Sequence, residues 1–91
     1  MTTIRVILRM SLNNDQNSAL RNMLVPILEG AGLVRQTKTA TYEGDISLSD
    51  LRDMMRLFWR TMDTYLGPAY LDHFWMYADR NALEDYEAEA A

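Results

Sequence analysis

The stretch that decides the fold runs from Gly32 to Asp50 and reads GLVRQTKTATYEGDISLSD. It holds two β-rich segments back to back, Leu33 to Thr39 and Thr41 to Ile46, which we predict to pair as a hairpin. Because no Asn-Gly pair marks the turn, one long bent strand is the alternative. The closing SLSD places the Ser47 hydroxyl and the Asp50 carboxylate at capping-box spacing, which predicts that a helix begins there.

An amphipathic strand and a helix precede this stretch. The segment TIRVILRMSL, residues 3–12, alternates in period two, which is typical of a strand with one buried face. From Ser18 onwards apolar residues recur at helical spacing, and Gly30 and Gly32 are placed to end the helix. Pro26 interrupts that run. An interior proline removes a backbone hydrogen bond, so we expect a kink near Asn22 to Pro26 or two short helices.

A second helix and a last strand follow it. The helix is predicted to run to Leu66, where Gly67-Pro68 stops it, and its buried stripe comprises Leu51, Met54, Met55, Phe58, Met62 and Tyr65. The segment YLDHFWMYADR then alternates as a strand, with Leu71, His73, Trp75 and Tyr77 on one face. A further capping-box spacing, Asn81 with Glu84, predicts a short C-terminal helix.

The element order is therefore βαββαβ plus a terminal helix. With right-handed crossovers, this order predicts a ferredoxin-like α+β fold, in which a four-stranded antiparallel sheet carries two helices on one face. We assign residues 1–80 to this domain and residues 81–91 to an acidic C-terminal helix or tail.

Composition and charge limit the classes of function. The 91 residues include no cysteine, which excludes disulfides and thiolate metal sites. No apolar run approaches the ~18 residues of a membrane span, and MTTIRVILRM lacks the apolar core of a signal peptide, so we expect a cytoplasmic protein without a membrane partner.

The net charge is −4. Basic and acidic residues balance through Arg80, so the acidity lies in the tail, and the charge disfavours nucleic acid as a partner.

Candidate binding residues fall on the first and last strands. Arg5 and Arg9 share the outward face of the first strand, where arginines are usually solvated; contact with an anion or a partner is the alternative. His73, Trp75 and Tyr77 form a row on the last strand. An aromatic row is too apolar to remain in water over several hundred Å². We therefore predict a homodimer across this face, with another protein partner as a further possibility.

No spacing in the chain matches a catalytic or metal signature, so we expect neither a metal nor a cofactor. His73 is the single histidine, and a lone strand histidine is usually structural. Asp15 lies after the first strand, where a carboxylate can bind a metal but more often caps a turn or helix. Glu43 and Asp45 share a strand face and can hold a cation between them, although a polar hairpin is the simpler interpretation. A small homodimeric interaction or binding module is thus the first hypothesis.

The run AGLVRQTKTATYEGDISLSDLR resembles the small CRISPR-associated adaptation nucleases and the related virulence-associated protein D toxins. The residues at comparable places are Gly32, Arg35, Tyr42, Glu43, Gly44, Ser49, Leu51 and Arg52. This resemblance implies a homodimer that binds nucleic acid and, in some members, cuts it with a metal-linked Asp at the end of the first strand. TIRVILRMSL contains no Asp, so Asp15 would have to supply that carboxylate.

A third hypothesis is a small-molecule site. In length and element order the chain is similar to dimeric ferredoxin-like barrels of the antibiotic-monooxygenase type. Such a resemblance implies a pocket between the sheet and the helices, lined by aromatic residues and a few polar groups. The candidates for its lining are Tyr42, His73, Trp75, Trp59 and Arg9.

Overall fold

The computed structural model describes residues 3–36 and 40–79. Its main elements are β1 (Thr3–Asn13), α1 (Ala19–Gly30), β2 (Val34–Arg35), β3 (Thr41–Ser47), α2 (Leu48–Thr64) and β4 (Tyr70–Ala78). One turn of 3₁₀ helix, Gln16–Ser18, precedes α1. The predicted order of strands and helices is confirmed, whereas the helix predicted within residues 81–91 lies outside the described residues.

The four strands form one antiparallel sheet in the order β2-β3-β1-β4. β1 lies inside the sheet, since it pairs with β3 through Thr3–Arg9 and with β4 through Val6–Asn13. The chain is therefore an α+β protein with a four-stranded antiparallel sheet and two helices, as the sequence predicted.

Both helices pack against the same face of the sheet. Their buried residues join those of the sheet in one hydrophobic cluster, to which β1 contributes Ile4, Val6, Leu8 and Met10, α1 contributes Leu20, Leu24 and Leu28, and α2 contributes Leu51, Met54 and Phe58. The even-numbered side chains of β1 from Ile4 to Met10 are buried in this cluster, so its odd-numbered side chains point to the opposite face. We call that opposite face, which neither helix covers, the open face.

The predicted hairpin is present but its first strand is short. Val34 lies opposite Glu43, and Arg35 lies opposite Tyr42. The amide of Gln36 also donates to the Thr41 carbonyl, at 2.8 Å. The prediction placed the first strand at residues 33–39. The observed strand begins one residue later, at Val34, because the Leu33 amide donates to α1, and residues 37–39 lie outside the described part of the chain.

The C-terminus of α1 is a Schellman motif. The Leu33 amide donates to the Leu28 carbonyl at 3.1 Å, and the Gly32 amide donates to the Glu29 carbonyl at 3.0 Å. Gly32 has a φ of +108°, a conformation that glycine adopts without steric penalty. The predicted role of Gly32 in ending the helix is confirmed.

Pro26 does not divide α1 into two helices, so that alternative is wrong. An interior proline costs about 3 kcal/mol. Leu20 and Leu24 before the proline, and Leu28 after it, are all fully buried on one stripe. Since burying a leucine side chain contributes about 1.5–3 kcal/mol, packing against the sheet offsets the cost of the proline.

α2 begins where the capping pattern predicts. Ser47 Oγ accepts a hydrogen bond from the Asp50 amide at 3.1 Å. Leu51, Met54 and Phe58 are buried, while the other predicted stripe residues are partly buried against the core: Met55, Met62 and Tyr65. The helix ends at Thr64, two residues before the predicted Leu66.

We expect Ser47→Ala to lower the free energy of unfolding by about 1 kcal/mol, because it removes the acceptor for the Asp50 amide. Urea denaturation followed by circular dichroism measures the change. Ser49→Ala is the control, since Ser49 is exposed in the first turn of α2. Equal loss in both variants would contradict a specific capping role for Ser47.

Candidate functional site

The strand register brings five of the predicted binding residues to the open face. Residues directly opposite each other on neighbouring strands share a face. Arg9 lies opposite Trp75, and Ser11 lies opposite His73. Ile7 lies between Glu43 on β3 and Tyr77 on β4. The residues that the register places together on this face are Arg5, Arg9, His73, Trp75 and Tyr77.

A β-bulge in β4 separates Leu71 from this group. The register shifts between Ser11 and Leu12, so that Ser11 faces His73 while Leu12 faces Leu71. Asp72 is the extra residue, and it is exposed. Leu71 therefore packs against the core with Leu12. The prediction that Leu71 shares a face with His73 is wrong, because an inserted residue reverses the alternation.

Large apolar side chains are exposed across the open face. Trp75 is 48% exposed and Tyr77 is 46% exposed. Val34 lies on β2, at the edge of the sheet opposite to β4, where it pairs with Glu43, and it is 65% exposed. Val34 was not among the candidates predicted from the sequence. The signal for it is its position directly after Leu33: Leu33 is buried, and neighbouring side chains in an extended chain point to opposite faces.

The charges of the open face are arranged across β1 and β3. The Arg5 guanidinium forms ion pairs with Glu43 and, at 3.5 Å, with Asp45. The carboxylates of Glu43 and Asp45 thus share the Arg5 guanidinium. This ion pairing explains their placement on one strand face better than a cation held between the two carboxylates alone. All three groups are at least partly exposed, so the pairing contributes little to stability.

Arg9, His73 and Trp75 line a shallow concavity of about 310 Å³ on the open face. It combines a cation, an imidazole and an indole, a set that suits contact with a flat or acidic partner surface. Three of the residues predicted to line a small-molecule pocket, Arg9, His73 and Trp75, therefore meet at this concavity.

Tyr42 and Trp59 lie elsewhere. Tyr42 is 1% exposed and lies opposite Leu8, so it belongs to the core face of β3. Trp59 is on the helical side of the molecule, where its ring centroid is 5.3 Å from that of Phe74. The sheet lies between these two residues and the concavity lined by Arg9, so the predicted lining does not assemble as one pocket.

Asp15 caps the N-terminus of α1. Its Oδ1 accepts from the Leu20 amide at 2.8 Å, and its Oδ2 accepts from the Arg21 amide at 3.0 Å. The capping interpretation of this turn residue thus has direct geometric support. Within residues 3–36 and 40–79, no three or more His, Cys, Asp or Glu side chains cluster where they could hold a metal ion.

No helix of the described residues has both the length and the apolar character needed to cross a bilayer. Comparison with known protein families, with curated proteins and with solved structures found no match to this chain.

Proposed function

We propose that the open face binds a second copy of this chain and that the protein is a homodimeric interaction module. The observation that supports this proposal is the exposure of Trp75 and Tyr77 on one sheet face that also carries Ile7 and Val34. Monomeric proteins rarely leave a contiguous apolar patch of several hundred Å² in water. A partner that covers the patch removes this cost.

The charges of the open face favour self-association over binding to nucleic acid. Arg5 and Arg9 are balanced there by Glu43 and Asp45, which gives a formal sum of zero. A two-fold axis presents the same patch on both copies, so a face with both signs can be complementary to itself. Binding to phosphates would instead need an excess of Lys and Arg.

We further infer that the fold is ferredoxin-like. β3 lies between β1 and β2, and β1 lies between β3 and β4. Each helix therefore connects two strands that are separated by one antiparallel strand, which supports two split βαβ units. The likeness to adaptation nucleases and to their toxin relatives stays a prediction. The contacts of Asp15 favour a structural role over cleavage, since both of its oxygens accept amides of α1.

Size-exclusion chromatography with light scattering tests the dimer. We expect the native protein to have twice its 10.6 kDa chain mass at micromolar concentration, and Trp75→Ser to have the mass of one chain. Removing a large aromatic anchor from an interface typically costs 2 kcal/mol or more, roughly a 30-fold weaker association.

Leu66→Ser is the matched control, because Leu66 is 96% exposed and lies outside the open face, between α2 and β4. This variant should remain a dimer. A native chain that stays monomeric would overturn the proposal, and so would a dimer that survives combined Trp75→Ser and Tyr77→Ser substitution. Circular dichroism confirms that each variant is folded.

A further inference from the structure

The helix α2 has two exposed sides of different character. On one side, Leu57 borders a groove of about 380 Å³ toward α1, together with Pro26 and Ile27. On the other side, the ring centroid of Trp59 lies 5.3 Å from that of Phe74, so this side faces β4. The proposed dimer covers the open face of the sheet and leaves both sides of α2 accessible.

The side of α2 that faces β4 carries a row of arginines. Arg52, Arg56 and Arg60 follow one another at intervals of four residues, so they lie along one side of the helix. Trp59 lies three residues after Arg56 and is 41% exposed beside this row. We call the surface of these four residues the arginine face.

The carboxylates of α2 balance the arginine face only in part. Asp53 Oδ1 lies 3.9 Å from a guanidinium nitrogen of Arg56, and both side chains are exposed. Such a contact contributes little to stability. Asp63 is a further exposed carboxylate near the end of the helix. When both carboxylates are counted against the three arginines, the formal charge is still +1.

The groove on the other side of α2 has the opposite charge. Among the described residues, the charged members of its lining are Asp50 and Asp53. A negatively charged segment is therefore repelled at the groove and attracted to the arginine face.

Residues 81–91 have a composition that complements the arginine face. This segment, NALEDYEAEAA, follows the described part of the chain and contains neither Lys nor Arg. Its acidic residues are Glu84, Asp85, Glu87 and Glu89, which give a side-chain charge of −4. It also contains Leu83 and Tyr86, and apolar and aromatic side chains of this kind pack well against an exposed indole such as that of Trp59.

The chain enters this segment close to the start of α2. The Asp79 amide, directly after β4, donates to the Arg5 carbonyl at 3.0 Å. Ser47, after which α2 begins, lies opposite Thr3 on the same central strand. The end of β4 and the start of α2 therefore lie at the same end of β1, and Arg52 is in the second turn of the helix.

The arginine face is within reach of the acidic residues. An extended chain advances about 3.3 Å per residue, so the stretch from Asp79 to Glu84 spans up to about 16 Å. The row from Arg52 to Arg60 is about 12 Å long, since a helix rises about 1.5 Å per residue. The carboxylates can thus lie alongside the arginines of their own chain.

From these observations we propose that the acidic segment 81–91 binds to the arginine face of its own chain. Its carboxylates pair with Arg52, Arg56 and Arg60, and its apolar side chains lie against Trp59. Arginine suits this pairing because its planar guanidinium donates to both oxygens of a carboxylate. The contact does not involve the open face, so it is independent of the proposed dimer.

Paramagnetic relaxation enhancement in the full chain tests this contact. The chain has no cysteine, so Ala90→Cys provides a single attachment point for a nitroxide label. At low ionic strength we expect the label to broaden the amide signals of Arg56, Trp59 and Arg60. The signal of Val34, at the far edge of the sheet, should be unchanged. The broadening should disappear at about 1 M NaCl, where charges are screened beyond about 3 Å.

Arg56→Gln should reduce the docked population about twofold, which is in the range for one exposed ion pair, and Arg52→Gln/Arg56→Gln should reduce it further. Arg21→Gln is the matched control, since it removes the same charge from α1, away from the arginine face. It should leave the broadening unchanged. Circular dichroism confirms that each variant is folded.

Four results would overturn the proposal. The first is a native chain whose arginine face is not broadened at low ionic strength. The second is broadening that survives both 1 M NaCl and the double arginine substitution. The third is broadening at Ile27 and Leu57 in place of the arginine face, which would put the segment in the groove. The fourth is broadening that arises only when the label is on a separate chain, which would put the segment on another copy.

Discussion

Replacing Phe58 by alanine is expected to lower the free energy of unfolding by about 3–5 kcal/mol. Phe58 is a fully buried member of the hydrophobic cluster. Its ring centroid lies 5.0 Å from that of Trp59 and 5.3 Å from that of Phe74, so it joins α2 to β4. The variant loses the transfer free energy of the ring, its aromatic contacts and the packing around the cavity that remains.

Urea denaturation measures this loss. The protein concentration is kept the same for all variants, because dimer formation would make the free energy of unfolding depend on it. Leu57→Ala is the control one position earlier on α2: Leu57 is 49% exposed, and its truncation should cost less than 1 kcal/mol, roughly the range for surface sites. A loss at Phe58 no larger than at Leu57 would show that the aromatic cluster does not hold α2 against the sheet.

Gly44→Ala is the second substitution with a large expected effect. A Cβ at this position would lie 2.5 Å from the carbonyl oxygen of Gly32 and 3.4 Å from the Cα of Leu33. Both neighbours are backbone atoms of the Schellman motif, so neither can rotate away as a side chain would. We expect a loss of about 1–3 kcal/mol, as for other overpacked sites.

Gly30→Ala separates this close approach from the general effect of losing a glycine. No atom lies within 4 Å of a Cβ built at Gly30, which is the last residue of α1. Alanine there should leave stability unchanged or raise it by up to about 1 kcal/mol. Thermal melts of both variants compare the two sites, and a Gly44→Ala protein as stable as the native one would mean that β3 can move away from the end of α1.

The local patterns of the sequence predicted which residues of β1 share each face, and that Glu43 and Asp45 share one face of β3. Alternation along a strand depends only on neighbouring residues, so Arg5, Arg9 and Glu43 could be placed before the structure was known. The cap at Ser47 is equally local. The bulge at Asp72 was not predictable in this way, because it depends on how β4 pairs with β1 across a long stretch of chain.

A cavity of about 290 Å³ at the C-terminal end of β1 was also beyond sequence patterns. Asp15 precedes α1 and Arg21 lies in its first turn, while Arg35 and Tyr42 come from the hairpin of β2 and β3. Their meeting depends on the packing of α1 against β2 and β3, which no spacing along the chain encodes. Tyr42 was predicted as a binding residue beside His73, whereas the structure places it at this other cavity.

The bulge at Asp72 also affects how the protein avoids aggregation. Within the described residues β4 pairs with β1 alone, so the backbone N–H and C=O groups along its other side form a template to which a further strand can add. A regular, flat and apolar template of this kind promotes the growth of β-aggregates. The extra residue twists the strand and places an exposed carboxylate beside the template, which limits strand addition at that end of β4 while Trp75 and Tyr77 remain available for a specific partner.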